Sequence, residues 1–184
     1  MIKKYLITDP KYYKDKNSFS KYLNTIYQNY AIDYACFRDK TTKNIIPLIE
    51  IFSKLSKKYG IKKTIINQHI SIAHEYKFFG VHLTSKQFSQ IEYAKSLNLF
   101  VIISTHSYDE VLKAEKLGAD AITYSPIFIT PNKGEPKGVD DLKNLMTKTK
   151  LKVFALGGIV SDKEVQLCKD INVYGFASIR YFLN

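Results

Sequence analysis

The stretch Phe100-Val-Ile-Ile-Ser-Thr-His-Ser-Tyr-Asp-Glu-Val-Leu-Lys-Ala-Glu-Lys-Leu-Gly-Ala-Asp-Ala-Ile-Thr-Tyr124 decides the fold. It opens on a nearly unbroken apolar run, Phe100–Ser104, as expected of a strand covered on both faces. Ser107 is a good helix N-cap, and Glu110 follows three residues later, as in a capping box. Tyr108–Leu117 then reads as a helix with Val111, Leu112 and Ala114 turned inward, and Gly118 ends it. A second apolar run, Ala121–Tyr124, follows. Two strands joined through a helix make a βαβ unit, and its strands run parallel.

The same alternation extends in both directions. Further short β-branched or aromatic runs lie at Tyr5–Thr8, Tyr34–Arg38, Thr64–Asn67, Gly80–Leu83, Val153–Leu156 and Tyr174–Ile179. Ser18–Gln28 has Phe19, Tyr22, Leu23, Ile26 and Tyr27 at helical spacing, and Ile45–Lys57 has Ile45, Ile49, Phe52 and Leu55. Ser71–Tyr76 leaves room for only a brief helix. Asp140–Lys148 is a weaker helix candidate, and Ser161-Asp-Lys-Glu164 is a second capping box, opening a helix through Val165, Leu167 and Cys168. Eight strands alternating with helices point to an α/β fold, a single (β/α)8 TIM barrel in a short version, spanning residues 1–184 as one domain. A doubly wound open sheet for a dinucleotide would carry Gly-x-Gly-x-x-Gly at its first strand–helix turn, and the chain has none. No repeat, low-complexity segment or Gly/Ser/Pro-rich linker divides it.

Composition narrows the setting. The chain has 184 residues, 45% hydrophobic and 24% charged, which excludes a disordered protein. No apolar run reaches the roughly 18 residues of a membrane span, and the apolar stretch near Met1 is too short for a signal peptide. Cys36 and Cys168 lie far apart in sequence, so neither a disulfide framework nor a zinc site is expected, and a cytoplasmic protein with reduced thiols is. The net charge is 28 − 17 = +11. Lysine is spread along the whole chain without basic runs or aromatic interleaving, so a solvated surface is expected rather than a nucleic-acid or membrane partner. The two arginines are more telling, because Arg38 and Arg180 each follow a strand.

A barrel gathers its chemistry from the residues that follow its strands. Here these are Thr8-Asp9, Arg38-Asp39-Lys40, Asn67-Gln68-His69, His82 with Thr84-Ser85, Ser104-Thr105-His106, Ser125 to Lys133, Gly157-Gly158 and Ser178 to Arg180. Cations and neutral donors outnumber carboxylates, which suits an anionic ligand such as phosphate or pyrophosphate. Gly157-Gly158-Ile159 lets backbone N–H groups approach an anion without an intervening Cβ. Arg38 offers a planar fork and Lys40 a point charge. The segment from Tyr124 to Gly138 holds three of the five prolines and is expected to be a structured loop over the site. No histidine or cysteine spacing implies zinc. His106 is the best acid/base candidate by position, whereas His82 is expected to face the barrel interior as a satisfied core residue and Cys36 to be buried and inert.

In order along the chain, Tyr5-Leu-Ile-Thr-Asp9, Phe37-Arg-Asp-Lys40, Ile66-Asn67, Gly80-Val-His-Leu83, Ser104-Thr-His-Ser107, Gly118-Ala-Asp120, Pro126-Ile-Phe-Ile-Thr-Pro-Asn-Lys133, Ala155-Leu-Gly-Gly-Ile159 and Gly175-Phe-Ala-Ser-Ile-Arg180 resemble the motifs of the thiamine-phosphate synthase/TenI family. The resemblance implies a (β/α)8 barrel acting in thiamine biosynthesis. A synthase of this family joins a pyrimidine pyrophosphate to a thiazole phosphate and releases pyrophosphate with the help of Mg²⁺. The resemblance further implies that Arg38, Lys40, Asn67 and Lys133 hold pyrophosphate with Thr130 nearby. By the same resemblance, backbone N–H groups at Gly158 and Ile179 hold thiazole phosphate beside Gly157 and Arg180.

The departures point to a branch. Cys36 replaces the family's Gln before the Arg-Glu-Lys element. Gln68 replaces a metal-binding Asp and His69 the Arg after it, and Thr84-Ser-Lys-Gln87 stands where Gly-Gln-x-Asp is expected. Mg²⁺ usually needs one or two carboxylates, and neutral Gln68 and Gln87 supply none. The chain therefore leans to the TenI side, whose members tautomerise a thiazole carboxylate phosphate by proton transfer without metal. A histidine that TenI enzymes can carry in the sixth-strand loop is replaced by Pro126. The expected activity is metal-independent tautomerisation with His106 or His69 as acid/base, with no cofactor. The alternatives are a Mg²⁺-using synthase and a non-catalytic phosphate-binding relative. Expected partners are a phosphorylated thiazole and, for the synthase, a pyrimidine pyrophosphate. The oligomeric state is open, a homodimer included.

Overall fold

A computed structural model describes residues 1–183. The eight runs become eight strands: β1 (Lys3–Ile7), β2 (Tyr34–Phe37), β3 (Lys63–Asn67), β4 (Gly80–Leu83), β5 (Phe100–Thr105), β6 (Ala121–Tyr124), β7 (Lys152–Leu156) and β8 (Gly175–Ser178). Each pairs in parallel with the next, and β8 pairs in parallel with β1, Leu6 opposite Ser178, so the sheet closes on itself in sequence order. The helices are α1 (Lys16–Asn29), α2 (Ile46–Lys58), α3 (Ile70–Glu75), α4 (Ile91–Ser96), α5 (Tyr108–Lys116), α6 (Gly138–Met146) and α7 (Asp162–Asp170). This is the α/β TIM barrel that the sequence predicts.

Period-two alternation divides each strand between two cores. Tyr5, Ile7, Tyr34, Cys36, Ile65, Ile102, Ala121, Phe154 and Ala177 point into the barrel. Their neighbours Leu6, Ala35, Phe37, Ile66, Ile103, Ile122 and Phe176 point out, against helix residues such as Leu23, Ile49 and Phe52. The interior is filled by rings: Tyr5 and Tyr34 each lie 5.1 Å from Phe154, centroid to centroid. These rings fill the barrel interior, and a cavity opens at the C-terminal ends of the strands. Cys36 is fully buried, as expected.

Three local differences from the sequence reading have clear causes. Leu112 is 51% exposed instead of inward, because Val111 and Ala114 already define the buried stripe of α5 and Leu112 sits about 100° round from Val111. Between β4 and β5 the chain makes a short 3-10 turn at Phe88–Gln90 and then α4, where no helix is expected. Only Ile91 and Ala94 of α4 are buried, too few apolar positions to show a period. α1 begins at Lys16 rather than Ser18, because Asp15 is the N-cap and Ser18 its third residue, in a reciprocal capping box. Among the described residues, no helix is long and apolar enough to cross a membrane.

Candidate active site

The ends of the strands open onto a cavity of about 370 Å3. Arg38, Lys40, Asn67, His106, Thr130, Lys133, Gly157 and Ile179 all line it, together with His82, Thr84, Ser104 and Ser125. A second hollow shares Thr130, Gly157 and Ile179 with the first and adds Gly158, Arg180 and Lys11. The two form one continuous cup. His69, Asp39, Gln68 and Gln87 line adjoining clefts instead. His69 is exposed at the start of α3 and faces neighbouring clefts beside Lys40, Asn67 and Gln68. Of the two alternative acid/base candidates, His106 lines the central cavity and His69 the adjoining cleft, which shares Lys40 and Asn67 with it.

Local structure sets each side chain. Thr8 Oγ1 accepts from the Arg38 backbone N–H (2.8 Å) and donates to the Arg38 carbonyl (3.0 Å), locking the ends of the first two strands together. The Arg38 guanidinium makes a loose ion pair with Asp9 (3.4 Å). Asp39 holds the following loop by accepting from the backbone N–H groups of Thr41 and Thr42, both at 2.9 Å. Burial pulls its carboxyl up, but the bonds from Thr42 and Thr41 outweigh it and hold the group below the ordinary carboxylate value. Lys40 and Lys133 make no ion pair among the described residues. The Lys40 ammonium is pushed below its ordinary value by burial and then by Arg38 and Lys133. Arg38, Lys40 and Lys133 are thus crowded together, with Asp9 and Asp39 as nearby carboxylates, an arrangement favourable to an anion.

The two glycines also have a packing role beyond the anion turn expected from sequence. A Cβ on Gly157 would meet Pro126 Cα at 2.8 Å, and one on Gly158 the Ile129 carbonyl at 2.6 Å. Both have positive φ, 98° and 71°. Their missing side chains make room for the segment after β6, which runs beside them with Ile127 N–H on Leu156 O (2.9 Å) and Phe128 N–H on Gly157 O (3.0 Å). Amide groups remain available for an anion here. The N–H groups of Gly158 and Ile179 have no hydrogen-bond partner among the described residues. Ser178 Oγ steadies the rim by donating to Ile159 O at 2.7 Å.

His106 turns one ring nitrogen to the chain. Its Nδ1 lies 3.1 Å from the carbonyl of Ser125, which accepts only, and 3.3 Å from Ser125 Oγ, which can accept as well, so the arrangement favours the proton on Nδ1. Nε2 is then an acceptor, and it has no partner among the described residues. Glu110 contributes in a way the expected capping box hides: its carboxylate accepts from the backbone N–H of His106 rather than of Ser107. Ser107 still caps α5 by accepting from Glu110 N–H. The acid thus pins the residue that carries the imidazole. His82 is buried as expected and also reaches the cavity floor, in keeping with its place among the strand-end residues.

The positions where the family would place a metal do not fit one. Gln87 uses both ends of its amide locally: Oε1 accepts from Thr84 N–H (3.1 Å), and Nε2 donates to Gln68 O (3.3 Å) and Gln90 Oε1 (2.8 Å). Gln68 is neutral, and among the described residues no group of three or more His, Cys, Asp or Glu side chains is placed to hold a metal ion. A hard divalent cation wants carboxylate oxygens, and this cleft offers two neutral amides, of which that of Gln87 is already in use.

A parallel eight-stranded barrel that gathers cations, unpaired amides and a histidine at the C-terminal ends of its strands has the layout of an enzyme barrel. The chain belongs to the thiamine monophosphate synthase family, whose model matches residues 4–182. It is 34% identical over 97% of its length to "Putative thiamine-phosphate synthase 2" of Aquifex aeolicus, covering 96% of that protein. It is 30% identical over 98% of its length to "Thiamine-phosphate synthase" of Fusobacterium nucleatum, covering 88% of it. The structure superposes on thiamine phosphate pyrophosphorylase from Pyrococcus furiosus with a TM-score of 0.78 over 97% of this chain and 85% of that one, at 24% identity, a likeness of fold.

Proposed function

We propose that this enzyme of thiamine biosynthesis tautomerises a thiazole carboxylate phosphate without a metal, working in the cytoplasm. One observation carries the reading: in a cup lined by Arg38, Lys40 and Lys133, His106 keeps its Nδ1 proton on Ser125 O and leaves Nε2 free. A tautomerisation breaks one C–H bond and makes another on the same molecule. Nothing leaves, so no pyrophosphate charge has to be neutralised, and one base whose conjugate acid returns the proton is enough. Nε2 of His106 takes the proton, and Ser125 O steadies the imidazolium through Nδ1–H. The Gly158 and Ile179 amides, with Arg180 beside them, hold the phosphate, while Arg38, Lys40 and Lys133 face the ring end and Asn67 and Thr130 complete the wall.

Two features support this branch over pyrophosphate release. Gln68 and Gln87 supply no carboxylate for Mg²⁺, and Gln87 is occupied by Thr84, Gln68 and Gln90. Losing the metal on a pyrophosphate leaving group forfeits a charge stabilisation of several kcal/mol. The relatives' names favour the second reading, synthase activity joining a pyrimidine pyrophosphate to thiazole phosphate. One experiment separates them. Turnover of the thiazole carboxylate phosphate, followed by ultraviolet absorbance in EDTA, is expected to proceed in the wild type and to fall by about 10²–10⁴-fold in His106→Gln. No turnover there, with pyrophosphate released from both synthase substrates in Mg²⁺, makes the chain a synthase. Binding of thiazole phosphate with neither reaction makes it a non-catalytic relative.

A further inference from the structure

Beneath the cup, His82 is the hub of a buried chain. Its Nδ1 lies 2.9 Å from Tyr5 Oη, and its Nε2 lies 3.0 Å from Ser104 Oγ and 3.5 Å from Thr123 Oγ1. His82 and Ser104 both line the cavity, whereas Tyr5 is wholly buried in the barrel interior. Which ring nitrogen holds the proton decides what Ser104 shows a ligand. The Tyr5 phenol needs an acceptor, and two candidates are near. The Cys36 thiol, pushed up to about 12 by burial, stays protonated and is a weak acceptor, whereas an imidazole nitrogen is a strong one. The phenol therefore donates to Nδ1. A neutral ring then carries its proton on Nε2 and donates it to Ser104 Oγ. The ring stays neutral because burial first, and then Arg38 and Lys40, press its pKa down to about 3.

We propose that His82, locked by Tyr5 as the Nε2–H tautomer, is a positioning residue that turns Ser104 into a fixed hydrogen-bond donor for an anionic acceptor on the ring end of the ligand. With one Oγ lone pair filled by His82 Nε2–H, the Ser104 hydroxyl proton points into the cavity. The acceptor is a ring carboxylate, which rests on the function proposed above. The arrangement discriminates by what it leaves unsatisfied: a ligand lacking the carboxylate strands a partly buried donor.

The test has two readouts. Long-range ¹H–¹⁵N correlation spectra of the labelled free protein, with the His82 signals assigned through His82→Gln, are expected to show Nδ1 as the unprotonated nitrogen and Nε2 as the N–H. In Tyr5→Phe the ring is expected to shift toward the Nδ1–H form. Isothermal titration compares two probes, the aromatic carboxylated thiazole phosphate and the same compound without its carboxylate. The wild type is expected to prefer the first by about tenfold or more, as for one bond to a charged acceptor, and Ser104→Ala to lose that preference. A merely structural role for His82 would move neither the tautomer nor the preference. Nδ1–H as the dominant form in the wild type, or a preference kept in Ser104→Ala, overturns the proposal. If neither probe binds the wild type, the tautomerase reading fails, and the tautomer in the free protein still upholds or overturns the hydrogen-bond chain by itself.

Discussion

At the scale of single residues, the unusual cost in this molecule is a neutral histidine held beneath a cluster of cations. Burial, then Arg38 and Lys40, lower the His82 pKa from 6.5 to about 3. Below pH 6.5 the unfolded chain takes up a proton that the folded one refuses until about pH 3. The contribution is therefore intact above pH 6.5 and lost progressively as the pH falls toward 3. The limiting slope is about 1.4 kcal/mol per pH unit for one such group. Urea unfolding at pH 7 and at pH 5 is expected to show wild-type stability falling by about 1–2 kcal/mol. The fall shrinks in His82→Gln, which has nothing to protonate. That window lies above the carboxylate range, so Asp39, whose carboxyl is held low, does not contribute. An equal loss in both proteins would show that His82 is solvated in the fold. His82 also marks how far residue-level reading reached. Its place in Gly80-Val-His-Leu83 is enough to put it in the barrel interior. Its link to Ser104 depends on β4 lying beside β5, His82 opposite Ile102, a register that no local pattern encodes.

At the scale of elements, the contact that shapes the cup is the one between the turn after β7 and the segment after β6. The eight strands and most helices are legible in the sequence because apolar runs and capping residues are local signals. Ser107 and Ser161 both cap their helices, Ser161 in the full capping box. What packs against Gly157 and Gly158 is not local, so a pattern that reads as an open anion turn proves also to be a docking groove for Pro126 to Ile129. The placing of His69 is non-local too: it follows β3, but the backbone turns at Gln68, with φ of 70°, and sets it in the cleft adjoining the central cavity. The groove makes a sharp prediction. In Gly158→Ala the new methyl would stand 2.6 Å from Ile129 O at a φ of 71°, so backbone must move on both sides. A loss of about 1–3 kcal/mol in stability is expected from the strained conformation and the clash. Because the displaced amide is the one assigned to the phosphate, affinity for thiazole phosphate in isothermal titration is expected to fall at least tenfold. Stability lost with affinity unchanged would place the phosphate elsewhere.

At the scale of the whole molecule, a net charge of +11 comes from lysines spread along the sequence, and three cations meet at the C-terminal face of the barrel. There, Arg38, Lys40 and Lys133 converge on a concave, partly dry site, and Asp9 is the sole carboxylate paired with any of them. Lysines such as Lys54 and Lys57 on α2 are exposed and lie outside the cup. Field lines concentrate in a concavity with low-dielectric walls, whereas exposed charges on a convex surface are screened within about 10 Å at 0.1 M salt. The cup and not the total charge is therefore expected to govern capture of a doubly negative ester. Stopped-flow measurement of thiazole phosphate association should show a rate that falls several-fold between about 0.02 and 0.3 M salt, with little change in dissociation. Lys40→Gln with Lys133→Gln is expected to flatten that dependence. Lys54→Gln with Lys57→Gln removes the same formal charge and leaves the slope close to that of the wild type. If the α2 pair flattens it equally, the summed surface field steers the ligand, and the convergence of three cations at the strand ends serves to hold the anion after arrival.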